Sequence, residues 1–306
     1  MSAIPAVEFR AVTRRYGRLA ALDGMNWSLR EGEVVGLLGH NGAGKTTCMK
    51  LVLGVAKPTT GEVRVHGQPP TGRHAHALRQ RLGYLPENVS FYPQMTGREV
   101  LRYFARLKRV PPARCDTLLE RVGLQAAAKR RVGTYSKGMR QRLGLAQALL
   151  GAPRLLLFDE PTVGLDPIAT RDFYRTVDDL RRQGTTIVLC SHVLPGIEPH
   201  IDRAAILREG QLLAYGTLEE LRAQAALPLR IRVRGSWRRP EVDEALTGMG
   251  ITIRGTEPDE AELSGPPTAK MRTLEVLLGA SGVEDIDVMH PSLETLYAHI
   301  SLGEDR

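Results

Sequence analysis

Apolar residues gather in three short runs without polar interruption: 34–38 (VVGLL), 155–158 (LLLF) and 187–190 (IVLC). Runs of that length predict strands buried on both faces, as in a parallel sheet. The last two end in polar pairs, Asp159-Glu160 and Ser191-His192. Each strand would thus deliver functional groups at its carboxyl end, where open α/β sheets build their sites. A different pattern opens the chain. Residues 7–9 alternate like a half-exposed strand, and Trp27-Ser28-Leu29 precedes a turn at 30–33, so a small antiparallel sheet is expected. Between residues 88 and 150 the spacing becomes helical. Thr96 and Glu99 stand at the capping-box interval, Val100, Leu101, Phe104 and Leu107 continue on one face, and Pro111-Pro112 stops that helix. Further helices are predicted over 116–122 and 137–149.

The pattern changes again near residues 225–228. The remaining chain reads as strand (229–233), helix (240–249), two strands (251–254, 261–263), helix (269–278) and strand (283–288), with a last short helix opening at Pro291-Ser292. That order predicts a small α+β domain of ferredoxin-like type. The chain is accordingly expected to divide into residues 1–225, an α/β body, and residues 226–306.

Charge sharpens this division. The 306-residue chain carries a net +8. From residue 228 onward, nine Lys and Arg face fourteen Asp and Glu, a balance of −5 that leaves +13 on the rest. A basic body suits ATP, nucleic acid or an anionic membrane surface, and charge alone does not choose among them. No apolar run approaches the roughly 18 residues of a membrane span. The start, MSAIPAVEFR, lacks a basic segment followed by an apolar one. A cytoplasmic protein is expected, or one held at a membrane by a partner. Cys48, Cys115 and Cys190 are scattered and read as reduced thiols. No Cys/His/Met cluster has copper-ligand spacing, and His74-Ala75-His76 reads as a solvated turn.

Between the first buried strand and a helix over 47–53 lies GHNGAGKTT. Gly39-x-x-x-x-Gly44-Lys45-Thr46 fits a phosphate-binding loop, with His40, Asn41, Gly42, Ala43 and Thr47 completing the stretch. Glycines let consecutive N–H groups turn inward around an anion; Lys45 would reach the β- and γ-phosphates and the Thr46 hydroxyl would face Mg²⁺. Tyr16 could offer a flat face to a base, or could simply be packed. Asp159 suits the hydration shell of Mg²⁺, and the adjacent Glu160, pointing elsewhere, suits a water poised for in-line attack. His192 could hydrogen-bond a γ-phosphate oxygen. A second helix start, Tyr135-Ser136-Lys137-Gly138-Met139-Arg140-Gln141, presents a hydroxyl and free N–H groups. One nucleotide does not need two such ends, so the second is expected to complete the site of another subunit in a head-to-tail dimer with two ATPs between the chains.

Together these residues resemble the ATP-binding cassette family over about residues 7–221. Gly39 to Thr46 matches Walker A, Leu155 to Asp159 Walker B, and Glu160 the catalytic glutamate. Ser136, Lys137, Gly138 and Gln141 match a variant signature, Asp166 the D-loop and His192 the switch histidine, while Tyr16 stands where the adenine-stacking aromatic would be. The resemblance implies a nucleotide-binding domain with a P-loop core sheet, an antiparallel β-subdomain and a helical subdomain. It also implies an ATPase that uses ATP and Mg²⁺, works as a homodimer and drives a membrane permease from the cytoplasmic face of the inner membrane. Two positions depart from the pattern. Glu87 in Tyr84-Leu85-Pro86-Glu87 replaces the usual glutamine and would approach Mg²⁺ and the attacking water as a carboxylate. Lys137 replaces the usual glycine, leaving the phosphate contact from the opposite chain mainly to Ser136 and Gly138.

Longer segments, among them YLPENVSFYPQMTGREVLRYFARLK, TYSKGMRQRLGLAQALLG and LCSHVLPGIE, are similar to the NosF-type ATPases that mature nitrous oxide reductase. That likeness implies a NosY-like permease and, through it, a NosD-like periplasmic partner, with copper handled by the partners and not by this chain. Phe91-Tyr92-Pro93 is the expected permease contact. An exporter of drugs, lipids or polysaccharides of the ABC-2 type would carry the same generic motifs. A nucleic-acid ATPase is disfavoured, since only about ninety residues separate Lys45 from Ser136, too few for a long coiled coil.

Overall fold

The computed structural model describes residues 4–302 apart from 74, 192–193 and 258. It comprises two compact units, residues 1–218 and 219–306.

The three apolar runs form strands Val34–Leu38, Leu155–Asp159 and Thr186–Ser191, and every residue in them is buried. They lie side by side in a six-stranded sheet. Its order is Leu82–Leu85, Leu155–Asp159, Thr186–Ser191, Val34–Leu38, Arg203–Arg208 and Gln211–Gly216, parallel except for the last strand. Register decides what this sheet can do. Leu38 pairs with Ser191, and Asp159 with Cys190, so the segments after Leu38 and after Phe158 leave the sheet level with each other, one strand apart.

Against this sheet packs an antiparallel sheet ordered Leu19–Leu29, Val7–Tyr16 and Thr60–Val65. The strand that starts with the alternation at residues 7–9 runs on to Tyr16, well past the expected end, but the alternation breaks at Arg10 and Ala11, both exposed, where the first of three register shifts against Leu19–Leu29 falls. One continuous core joins the two sheets, with Phe9, Trp27 and Val63 meeting Leu37, Leu51, Leu157 and Val188. Each such fully buried side chain contributes roughly 1.5–3 kcal/mol.

The helical stretch supplies Gly97–Leu107, Ala113–Arg121 and Lys137–Ala148. Both bonds of the expected capping box are made: the Glu99 N–H donates to Thr96 Oγ1 at 3.3 Å, and the Thr96 N–H donates to Glu99 Oε2 at 2.8 Å. The inward face differs from expectation at its end. Val100, Leu101 and Ala105 are buried, whereas Leu107 in the last turn is 57% exposed. There the stem of Lys108 turns inward instead, its Nζ donating to Leu82 O and Leu150 O.

The second unit begins with helix Leu218–Ala225, which the expected order did not include, and then runs Leu229–Arg234, Pro240–Gly248, Thr252–Glu257, Glu260–Gly265, Lys270–Gly279, Asp285–Met289 and Leu293–Leu302, the expected sequence of strands and helices. Its sheet is antiparallel throughout, ordered Thr252–Glu257, Glu260–Gly265, Leu229–Arg234 and Asp285–Met289. Leu229, Ile231 and Val233 point into a separate core with Trp237, Leu246 and Leu277, while Arg230, Arg232 and Arg234 alternate outward.

Candidate functional site

The loop after Val34–Leu38 turns into helix Lys45–Val52 through two glycines that only glycine suits. Gly44 has φ +110°, and a Cβ there would stand 2.7 Å from Ala21 O; Gly42 has φ +88°. Both angles lie in the region that side chains disfavour. No side chain caps the helix and no acid occupies its first turn, so its positive end is left to an anion. Lys45 is buried, and its Nζ donates to Gly39 O at 2.5 Å and His40 O at 3.2 Å. The ammonium is thereby held inside the curl of the loop.

From the neighbouring strand end, Asp159 and Glu160 arrive at 5% and 7% exposure. Thr46 Oγ1 donates to Asp159 Oδ2 at 3.3 Å, which joins the helix start to the acidic pair. Burial raises the Asp159 carboxyl above its usual range; Thr46 opposes that shift, and Glu160 and Glu87 add to it. Glu160 has φ +48°, a left-handed backbone in a residue with a side chain, and its N–H donates to Cys190 O at 3.0 Å. This turn sends Glu160 and Asp159 in different directions.

A pocket of about 290 Å³ gathers Tyr16, the loop from His40 to Thr47, Glu87, Asp159 and Glu160. Gly39 stands behind it: a Cβ there would meet Ala43 Cβ and Leu207 O, each at 2.7 Å. Tyr16 lines the pocket at 42% exposure, with the Arg14 guanidinium over one face of its ring at 4.4 Å. Glu87 is exposed. His40 is turned along the loop, its Nδ1 2.7 Å from Asn41 O. The donor set of Thr46, Asp159 and Glu87 is all oxygen, as a hard cation requires. Among the described residues no three His, Cys, Asp or Glu form a metal cage. Magnesium takes one or two carboxylates and completes its shell with phosphates and water.

Other expected residues lie apart from this pocket. Ser136 caps helix Lys137–Ala148, its Oγ accepting from the Met139 N–H at 3.2 Å, and Gly138 lies in the first turn. The Lys137 side chain lies over Gly164; a Cβ on that glycine would stand 2.6 Å from Lys137 Cδ. Gln141 is buried and turns into its own chain, donating from Nε2 to Pro161 O at 3.1 Å. Asp166 caps helix Pro167–Arg182 by accepting from the Ala169 N–H at 2.8 Å. Gln141 and Asp166 line another cavity, of about 320 Å³, with Arg142 and Phe173. His192 lies outside the described residues. Phe91 packs edge-on against Phe104 at 6.1 Å, whereas Tyr92 is 70% exposed.

Sequence reasoning missed Tyr84. Burial pushes its hydroxyl up to about 12, with the charge of Asp159 and a hydrogen bond to it contributing. No local run marks it: Tyr84 comes near Asp159 only because it pairs with Leu157, two residues before Asp159 on the adjacent strand.

A glycine loop closing on a lysine at a helix start, beside an acidic pair at the end of a nearby parallel strand, defines a P-loop nucleoside triphosphatase. Comparison with known proteins narrows that class. The ABC transporter family model matches residues 22–163. The chain is 34% identical to the daunorubicin resistance ATP-binding protein DrrA3 of Streptomyces coeruleorubidus, over 98% of this chain and 97% of that protein. It is 40% identical to a Nod factor export ATP-binding protein I of Burkholderia orbicola, over 71% of this chain and 72% of that one. A solved ATP-binding subunit of an ABC transporter superposes with a TM-score of 0.67 at 30% identity, covering 72% of this chain and 92% of the other. The chain therefore belongs to the ATP-binding subunits of ABC transporters. It is an ATPase that uses ATP with Mg²⁺, and such subunits dimerise and pair with membrane permeases. Among the described residues no helix is long and apolar enough to cross a membrane.

Proposed function

We propose that this chain is the motor of an ABC-2-type exporter, spending ATP to drive a permease at the cytoplasmic face of the inner membrane. The observation that carries this reading is the convergence of Lys45, Thr46, Glu87, Asp159 and Glu160 on one pocket, with Ser136 and Gly138 at a separate helix start. Lys45 and the loop N–H groups grip the phosphates, and Tyr16 faces the base. Thr46, Asp159 and Glu87 hold Mg²⁺, which supplies positive charge against the phosphate oxygens. Glu160 orients the attacking water and accepts its proton. Ser136 and Gly138 complete the site of a second copy, Asp166 lies in the loop between the two, and His192 senses the γ-phosphate. Closure of the dimer on ATP and its reopening after hydrolysis move the permease through the surface around Tyr92. Residues 226–306 form a ferredoxin-like accessory domain, a reading supported by the strand and helix order and by the antiparallel sheet.

The names of the relatives, one for drug resistance and one for export, support an export role. A second reading rests on the segments similar to NosF-type ATPases: the motor would then serve nitrous oxide reductase maturation with NosY-like and NosD-like partners. Copurification from detergent-solubilised membranes with mass spectrometry separates the two. A drug- or lipid-type permease alone supports export, and a permease with a periplasmic repeat protein supports maturation. Replacing Glu160 by Gln tests the motor itself. ATP turnover is expected to fall by roughly 10²–10⁴-fold, the worth of a general base, and ATP-bound dimers are expected to accumulate in gel filtration. Turnover near wild type would remove Glu160 from that role.

A further inference from the structure

At the amino-terminal ends of strands Leu82–Leu85 and Leu155–Asp159, opposite the edge that carries the nucleotide loop, the cassette opens another pocket, of about 720 Å³. Four cations reach it from separate points of the chain. Arg81 precedes the first of these strands, Lys108 ends helix Gly97–Leu107, Arg109 comes next, and Arg114 lies in the first turn of helix Ala113–Arg121. No Asp or Glu lines the pocket.

Counter-charges that could have served lie elsewhere. Asp116, the acid in the first turn of Ala113–Arg121, pairs with Arg98 at 2.9 Å. Among the described residues none of the four cations makes an ion pair with a carboxylate. Lys108 is anchored without being neutralised, its Nζ donating to Leu82 O at 2.7 Å and Leu150 O at 3.1 Å and keeping a third N–H. Burial without a counter-ion lowers its pKa to about 8. Arg109 stands in a left-handed turn with φ +55°, a backbone that fixes where its side chain leaves the chain. Helix Ala113–Arg121 has no side-chain cap, but Asp116 in its first turn offsets its positive end, so the charge of the pocket comes from the side chains. Like charges gathered in a concavity repel one another and focus the field on an anion. Arginine forks match phosphate oxygens in pairs, and the volume suits a small ligand.

We infer that this pocket is a second anion site, separate from the ATP pocket, which binds a phosphate-bearing polyanion through Lys108, Arg109 and Arg114. A soluble polyphosphate group and the headgroup of an anionic lipid share that chemistry. The experiment fills the nucleotide site with a non-hydrolysable ATP analogue and Mg²⁺ and titrates the full-length protein with tripolyphosphate by calorimetry. In parallel, the protein is floated with phosphatidylcholine vesicles with and without phosphatidylglycerol. The pocket variant is Arg109→Asn with Arg114→Gln, since Asn tolerates a left-handed backbone. The control, Arg171→Gln with Arg182→Gln, removes equal charge elsewhere. Saturable tripolyphosphate binding, weakened at least about tenfold in the pocket variant alone, supports the site with a soluble ligand. Flotation on phosphatidylglycerol vesicles lost in the pocket variant alone supports it with a lipid headgroup. If neither probe binds, or both variants lose binding equally, the site is overturned. Melting curves check folding, and the single exposed Arg114→Gln serves where the double variant melts early. ATP turnover without the probes is expected to be unchanged in every variant, which keeps this result distinct from failure of the motor reading.

Discussion

Asp159 sits buried at 5% exposure beside Glu160, and its carboxyl is raised by that burial. A carboxyl whose folded pKa lies above the unfolded value binds more protons in the native state, so native stability falls as pH rises from the ordinary carboxylate value through the raised one. The nucleotide-free protein therefore bears a cost near neutral pH that function requires. Asp159→Asn keeps the shape and removes the charge. It is expected to raise Tm by roughly 2–4 °C for each kcal/mol gained while ATP turnover is lost. The gain should shrink as pH is lowered through the raised pKa of Asp159, because the wild-type carboxyl is then neutral in the fold as well. Differential scanning calorimetry of both proteins across that range checks the sign; an Asn variant less stable than wild type at neutral pH would contradict it.

Helix Gly97–Leu107 shows how far a linear pattern reaches. The Thr96 and Glu99 interval marks its start, and both capping bonds are present, because that signal is local. Replacing Thr96 by Ala is expected to cost about 1 kcal/mol, read as a lower midpoint in urea at unchanged m. The other end departs from the pattern at Leu107, since spacing gives a face but not where the neighbouring surface stops. The same limit governs the site. Lys45, Thr46, Asp159 and Glu160 were legible because a loop and two strand ends carry them in short, recognisable runs. Tyr84 was not, since its importance comes from strand pairing. The inward turn of Gln141 toward Pro161 O and the left-handed backbone of Glu160 depend on tertiary packing that no single stretch encodes.

Across the whole molecule, two hydrophobic cores are built from separate stretches of chain, one around the paired sheets of the cassette and one in the second unit. Ligand binding stabilises only the unit that holds the site, by about 2.7 kcal/mol at a hundredfold excess over Kd. ATP with Mg²⁺ is therefore expected to move the unfolding of the cassette and leave that of the second unit in place. A shift of both transitions together would mean that the two units unfold as one. The chain supplies its own means of watching this, for it has two tryptophans. Trp27, 4% exposed, lies in the cassette core, and Trp237, 1% exposed, lies in the core of the second unit. Trp237→Phe leaves an optical reporter of the cassette alone and Trp27→Phe one of the second unit alone, so fluorescence can follow each unit of the chain without a label being added.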